Sequence, residues 1–217
     1  MLRRAAGVCG LLALLTVTVG WVAGALAQPS AYSSADDDTS DLGALTAHSA
    51  WIFNQIGDNL TGVLVMAVGV GLWAALTPSV LGRLGAGALI LAGIGAFLDG
   101  IFRLDCRGID PACRNDSWHS SAHKMESRVT VAATFAAPLI LSFAFRRLSS
   151  WRALWLPTLL AVPAAIVAGI VFSFLGNGAA TRATTTTWFV WLAFIAMRLL
   201  RVDVDSAERA PPVHRRN

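Results

Sequence analysis

Apolar residues along this chain do not alternate with polar ones. They run on in six blocks, at roughly Ala5–Ala27, Ala50–Leu76, Leu84–Leu104, Val129–Phe145, Ala153–Leu175 and Thr187–Leu200. An apolar stretch of about 18 residues or more, wound as an α-helix, is long enough to cross the hydrocarbon core of a bilayer. The fourth and sixth blocks are short at their oily cores, and the amphipathic residues before them are expected to extend those helices. The pattern predicts an all-α fold, a polytopic membrane helix bundle with six transmembrane helices over residues 1–202. A polar tail, 203–217, carries a Pro211–Pro212 pair that opposes further helix, and it reads as disordered.

The connections fit six spans. Pro78 and Gly82 punctuate a short turn between spans two and three, and "RRLSSWR" separates four from five. "GNGAATRATTTT" separates five from six: Gly and Asn break one helix and the Thr run begins the next. "QPSAYSSADDDTSDLG", after span one, is a polar acidic loop.

Charge orients the bundle. With the N-terminus in the cytoplasm, the inner side receives Arg3, Arg4, Arg83, Arg146, Arg147, Arg152, Arg198, Arg201, Arg209, Arg215 and Arg216, eleven of the seventeen basic residues. The outer side receives ten of the thirteen acidic residues. Basic residues near span ends stay in the cytoplasm, so both N- and C-termini are expected there. "MLRR", an apolar run and "ALA" before Gln28 also resemble a secretory signal peptide. The run is long for that role, so span one is read as a retained helix, with cleavage near residue 27 as the alternative. Either choice leaves the remaining topology unchanged.

Composition agrees. The chain has 217 residues, 55% hydrophobic and 14% charged, against about 25% charged in soluble domains; its mean hydropathy is +0.60. A net charge of +4 and a pI near 9.6 raise the question of nucleic acid. The basic residues flank apolar runs and form no patch interleaved with aromatics, so no nucleic acid is expected as partner. Arg greatly outnumbers Lys, a bias of GC-rich bacterial genomes, and the expected location is the plasma membrane of a bacterium, its inner membrane.

The densest chemistry lies in "LDCRGIDPACRNDSWHSSAH", residues 104–123. The topology puts it outside, where disulfides persist. Cys106 and Cys113 flank Gly108 and Pro111, which favour a turn, and a disulfide is the natural reading. Cys9 is left as a thiol in a membrane helix. His119 and His123 are spaced i, i+4, so a helix capped by Asp116 or Ser117 puts both rings on one face. With His48, also outside, they offer a metal set for zinc. The alternative is ordinary interfacial hydrogen bonding, with Trp118 anchored among headgroups.

Polar residues within spans are costly and therefore informative. Asn54, Asp58 and Thr61 lie at i, i+4, i+7 in span two, with Gln55 alongside. Asp99 and Arg103 have helical salt-bridge spacing at the end of span three, which Asp105 closes, and Glu126 and Arg128 open span four. Asn54, Asp58, Asp99, Arg103, Asp105 and Glu126 are expected to line an outward-facing polar vestibule that binds a lipid or small molecule. The competing reading is a set of interhelical bonds that hold the bundle together. Small residues at four-residue spacing, Ala88, Ala92, Ala96 and Gly100 with Ala67 and Gly71, permit close helix approach, either within the bundle or at a homodimer face. Pro138, Pro157 and Pro163 are expected to kink spans four and five or to shape their packing.

The third-span end "GIFRLDC" and the segment "WHSSAH" leading into span four resemble the bacterial multi-pass membrane proteins of domain-of-unknown-function family 998. The likeness runs from span one to span six. It implies a six-helix bundle in the plasma membrane and no established reaction; the cysteine pair and the Asn54/Asp58 stripe are additional to it. A second resemblance is to membrane hydrolases that include alkaline ceramidases and progestin-receptor-like proteins, which set Ser, Asp and three His around zinc. His48, Asp105, His119, His123 and Ser120 imitate that set, although those proteins have seven spans and carry the paired histidines in the last.

Three functions follow as expectations. The first is a non-enzymatic membrane protein binding a lipid, small ligand or partner through the vestibule. The second is a zinc-dependent hydrolase acting on lipid, with metal-bound water as nucleophile. The third is a small transporter, against which stands the lack of an inverted repeat or paired broken helices. Gly-rich phosphate loops and nucleophile elbows are absent from the sequence.

Overall fold

The computed structural model describes residues 1–77 and 79–208, with residues 202–208 as helical backbone only. Pro78 and residues 209–217, the greater part of the expected tail, lie outside the described residues. Helix α1 spans Leu2–Leu26, α2 Thr61–Ala75, α3 Val80–Asp99, α4 Trp118–Arg147, α5 Trp155–Ser173 and α6 Asn177–Glu208. A π-helix, Ile52–Leu60, leads directly into α2. Short 3₁₀ turns occupy Thr39–Gly43 and Ser149–Leu154. No strand occurs among the described residues. Six helical stretches are long and apolar enough to cross a membrane, so the chain is a multi-pass helix bundle.

Each helix packs on the next in sequence, and α6 returns to α1, closing a six-membered ring. The ends differ in filling. At the end holding the N-terminus, large side chains interlock: Leu72, Leu89, Leu141, Phe145, Trp151, Leu192, Ile195 and Leu199 are buried in one cluster. Phe145 and Trp151 stack with centroids 4.9 Å apart. At the opposite end, which carries the loops 27–51 and 100–117, many inward positions are Ala, Gly, Ser or Thr, and the ring stays open inside.

Glycine permits the tightest crossings. A Cβ on Gly20 would run into the Gly57 Cα, so α1 and the π-helix touch backbone to backbone. A Cβ on Gly62 would meet Gly93 O at 2.6 Å, where α2 crosses α3. Gly71 is pressed against Ala6. These close approaches, including that of Gly71 from the small-residue stripe, serve packing within the bundle.

Proline has a specific consequence in α4. Pro138 has no N–H to give the carbonyl of Thr134, four residues earlier. The Trp188 indole Nε1 of α6 donates to that carbonyl at 2.9 Å. Trp191 Nε1 donates to Thr158 Oγ1 of α5 at 3.1 Å. Two indoles of α6 thus tie α4 and α5 across the middle of the bundle.

Helix boundaries follow expectation at the starts of α4 and α6 and depart from it at the end of α3. Helix α4 begins at Trp118 and α6 at Asn177, because the flanking amphipathic residues are helical, as anticipated. Helix α3 stops at Asp99, short of the expected Leu104. Gly100 sits so close to the π-helix that a Cβ would run into Asn54 O, and the chain turns there. Arg103 therefore does not stand one helical turn from Asp99, and the expected helical Asp99–Arg103 pair does not form.

Candidate functional site

Between the six helices, at the loop end, lies a cavity of about 510 Å³. Its lower wall is apolar: Val17, Val65, Ala92, Phe135, Trp188 and Phe189. Its upper wall carries Asp58, Asp99 and Glu126, with hydroxyls from Thr61, Thr130, Thr181, Thr184 and Thr185. Asp38, Thr39 and Ser40 reach it from the loop above. Helix α6 contributes three threonines because they recur at three and four residues along one face.

The π-helix sets part of this wall. Closing its turns from i to i+5 widens them, and such turns recur at functional sites. Asn54, Asp58 and Asn59 are all buried there. Asn54 Nδ2 donates to Gly43 O at 3.1 Å, fastening the loop above. Asn59 Nδ2 donates to Phe97 O at 2.6 Å. Thr61 Oγ1 shares a hydrogen bond of 2.7 Å with Thr16 Oγ1. The carboxyl of Asp58, a residue only 8% exposed, has no hydrogen bond to another described group.

Three side chains from two helices meet beside Asp58. Asp99 Oδ1 lies 2.7 Å from His123 Nδ1, and Glu126 Oε1 lies 3.9 Å from it. Their donor atoms fall within 4.8 Å of one another, a spacing able to hold a cation. His123 Nδ1 also lies 3.0 Å from the Phe102 carbonyl. A carbonyl only accepts, so Nδ1 carries the ring proton and donates it there. Asp99 Oδ1, buried beside that N–H, has no hydrogen bond of its own. Glu126 accepts from Ser127 Oγ and Thr130 Oγ1, each at 3.1 Å.

The remaining candidates separate. Arg103 lines a narrow crevice with Asn54, Asp58, Asp99 and His123, above the main cavity. His119 stacks on Trp118, centroids 3.6 Å apart, and tilts against Phe102. His48 is exposed, and its backbone pairs with the Gln28 side chain. Asp105 accepts from Ser117 N and Oγ at 3.0 and 2.6 Å, and Ser117 caps α4 by accepting from Ser120 N at 3.2 Å. Ser120 Oγ in turn accepts from Asp105 N at 3.0 Å. His123 is thus gathered with Asp99 and Glu126, while His48 and His119 are not in that group. Asn59, Ser127 and Thr130 carried no signal in the sequence beyond their polarity.

Loops cover the cavity. The 3₁₀ turn Thr39–Gly43 is sunk into the mouth, with Asp41, Leu42, Gly43 and Ala44 buried. Arg182, at the start of α6, holds the preceding segment: its Nη1 donates to Ser34 O at 2.6 Å and Asp37 O at 3.1 Å, and its Nη2 to the Tyr32 hydroxyl. The second loop is closed by a Cys106–Cys113 disulfide. Gly108 N donates to Asp41 Oδ1 at 3.0 Å, and Leu45 N to Leu104 O at 2.9 Å, so the two loops form one cover.

Charge in this cover is well matched. The Arg107 guanidinium, with the Thr46 hydroxyl, holds the Asp110 carboxyl down at about 2. Both Ser117 donors hold Asp105 below the usual carboxylate value. Burial pushes Asp41 up, and burial likewise raises Tyr32.

No curated protein and no solved structure matches the chain. The family model described as "Protein of unknown function (DUF998)" matches residues 8–200, from the first helix through the last span. By that match, over nearly all of the bundle just described, this chain belongs to the DUF998 family.

Proposed function

We propose that this membrane protein binds an amphiphile, a lipid or lipid-like small molecule, in the cavity inside its helix ring. The observation that carries the reading is the cavity's two-part wall. The apolar floor of this 510 Å³ cavity suits an aliphatic tail, and the carboxylates and hydroxyls above suit a polar head. Ligand sites are mostly apolar concavities with a few converging polar groups. Asp58, Asp99 and Glu126 contact the head in this reading, and Asn54 and Arg103 position the wall around them. Asp105 supports the site from the capping turn of α4.

The loop end faces out of the cytoplasm, and both termini face in. Arg3, Arg83, Arg146, Arg147, Arg152, Arg198 and Arg201 at the other end support this orientation, as does the disulfide in the cover. The arginine-rich composition supports a bacterial plasma membrane as its location.

The test fills the cavity. Ala96→Phe projects a ring into the open space and is expected to leave the bundle folded while removing co-purifying lipid seen by native mass spectrometry. Unchanged lipid content in a folded Ala96→Phe protein would refute the reading.

A second reading, a zinc-dependent hydrolase, is favoured by one observation, the Asp99–His123–Glu126 group. In this reading His123 would have to bind metal through Nε2, since Nδ1 donates to Phe102. His119 and His48 would join only if the loops moved. Metal analysis of purified protein decides it: stoichiometric zinc that disappears in His123→Ala supports the hydrolase, and no zinc in the wild type removes it.

A further inference from the structure

Four carboxylates line the cavity: Asp38, Asp58, Asp99 and Glu126. The same wall contains no Lys, Arg or His. Arg103 and His123 share the narrow crevice with Asp58 and Asp99. His123 spends its Nδ1 proton on the Phe102 carbonyl. No basic side chain among the described residues therefore lines the cavity itself beside its carboxylates.

Two acceptors there have no donor. Asp58 is 8% exposed, lines the cavity and has no hydrogen bond to a described group. Asp99 Oδ1 is buried without a hydrogen bond. Buried acceptors left unpaired are costly, and buried charges need a counter-charge. Glu126 has its own hydroxyl donors, so the unmet demand is for a cation with N–H groups at Asp58 and Asp99.

From this juxtaposition we infer that the amphiphile taken by the cavity is cationic, a long-chain amine whose ammonium group sits among Asp58, Asp99 and Glu126. The inference rests on the amphiphile reading above. An ammonium group has three donors and no acceptor, which complements a wall of acceptors. The apolar floor accounts for the chain: a bare metal ion would leave Val17, Val65, Phe135 and Phe189 facing space it does not fill. An anionic head would meet a wall of acceptors with no basic side chain among its described lining residues and is rejected by it.

The full-length protein in uncharged maltoside micelles, titrated with dodecylamine, dodecanol and dodecanoate, tests this. Thermal shift and native mass spectrometry give the readout. The expected result is tenfold or stronger binding of the amine over the alcohol and no binding of the carboxylate. Asp58→Asn and Glu126→Gln are expected to bring the amine down to the level of the alcohol, with dodecanol binding kept as the sign of an intact cavity. Equal binding of amine and alcohol by the wild type would overturn the cationic inference and leave the amphiphile reading standing. Binding of none of the three would overturn both. Stabilisation by zinc ion alone, with exclusion of the amine, would also overturn the inference. If either variant fails to fold, the wild-type amine-to-alcohol ratio still decides.

Discussion

Asp99 Oδ1 stands 2.7 Å from His123 Nδ1, yet the proton on that nitrogen is directed to the Phe102 carbonyl. The end of α3 and the first turns of α4 are thereby joined through one imidazole. Losing a hydrogen bond that leaves a buried acceptor unpaired costs about 1–3 kcal/mol. His123→Ala is expected to lower the melting temperature of the detergent-solubilised protein. Asp99→Asn is expected to do so less, since the Phe102 bond survives. A larger loss for Asp99→Asn than for His123→Ala would contradict this assignment.

The Trp188–Thr134 bond is expected to depend on Pro138. In the wild type, Trp188→Phe leaves the Thr134 carbonyl without its donor, at a cost of about 1–3 kcal/mol. In a Pro138→Ala background the backbone N–H of residue 138 can serve that carbonyl, and the same substitution should cost less. A double-mutant cycle over the pair reads the difference directly. Equal costs in both backgrounds would mean that the proline does not explain the indole's placement.

Arg182 fastens the cover. Removing it in Arg182→Ala frees the carbonyls of Ser34 and Asp37 and the Tyr32 hydroxyl. Hydrogen exchange of residues 33–40 is expected to speed up by tenfold or more, while α2 and α3 stay protected. Arg182→Lys, with a point charge in place of the planar fork, is expected to restore only part of the protection.

The disulfide closes a short loop, and the chain-entropy model assigns such a closure on the order of 2–3 kcal/mol. Reduction of Cys106–Cys113 is expected to loosen residues 104–117 without unfolding the six spans. Circular dichroism unchanged on reduction, with faster exchange confined to that loop and to residues 41–46 packed on it, is the expected result.

Acid should loosen the same cover. Asp110 titrates at about 2 in the folded protein because of Arg107 and Thr46, below the unfolded carboxylate value of about 3.9. A lowered folded value means the contribution is present above about pH 4 and fades as the pH falls toward 2. Asp41, raised by burial, works in the opposite sense: its contribution is present below the unfolded value and is lost as the pH rises through its own. Asp110→Asn is expected to flatten the acid limb of a pH titration of cover exchange between about pH 5 and 2. An acid limb identical to that of the wild type would exclude Asp110 as its source.

The sequence by itself determined the number of spans, because a run of apolar residues longer than a bilayer's core admits few other placements. It pointed to the cysteine pair and narrowed the cap of α4 to Asp116 or Ser117, which depend on neighbours close in the chain. It also marked Asp58, Asp99 and Glu126 one by one, since charge inside a span is unusual wherever it occurs, and His123 by its spacing from His119. Only the tertiary structure decided which of them meet. Spacing paired Asp99 with Arg103 and His123 with His119, because helical periodicity is the one distance rule a sequence supplies. Helix α3 instead ends at Asp99, where Gly100 presses on the π-helix, and Asp99 turns toward His123 and Glu126 on α4. The cavity was equally hidden: its floor is made of small and apolar residues that read as packing, and it exists because six helices close into a ring whose loop end has too little side-chain volume to fill it.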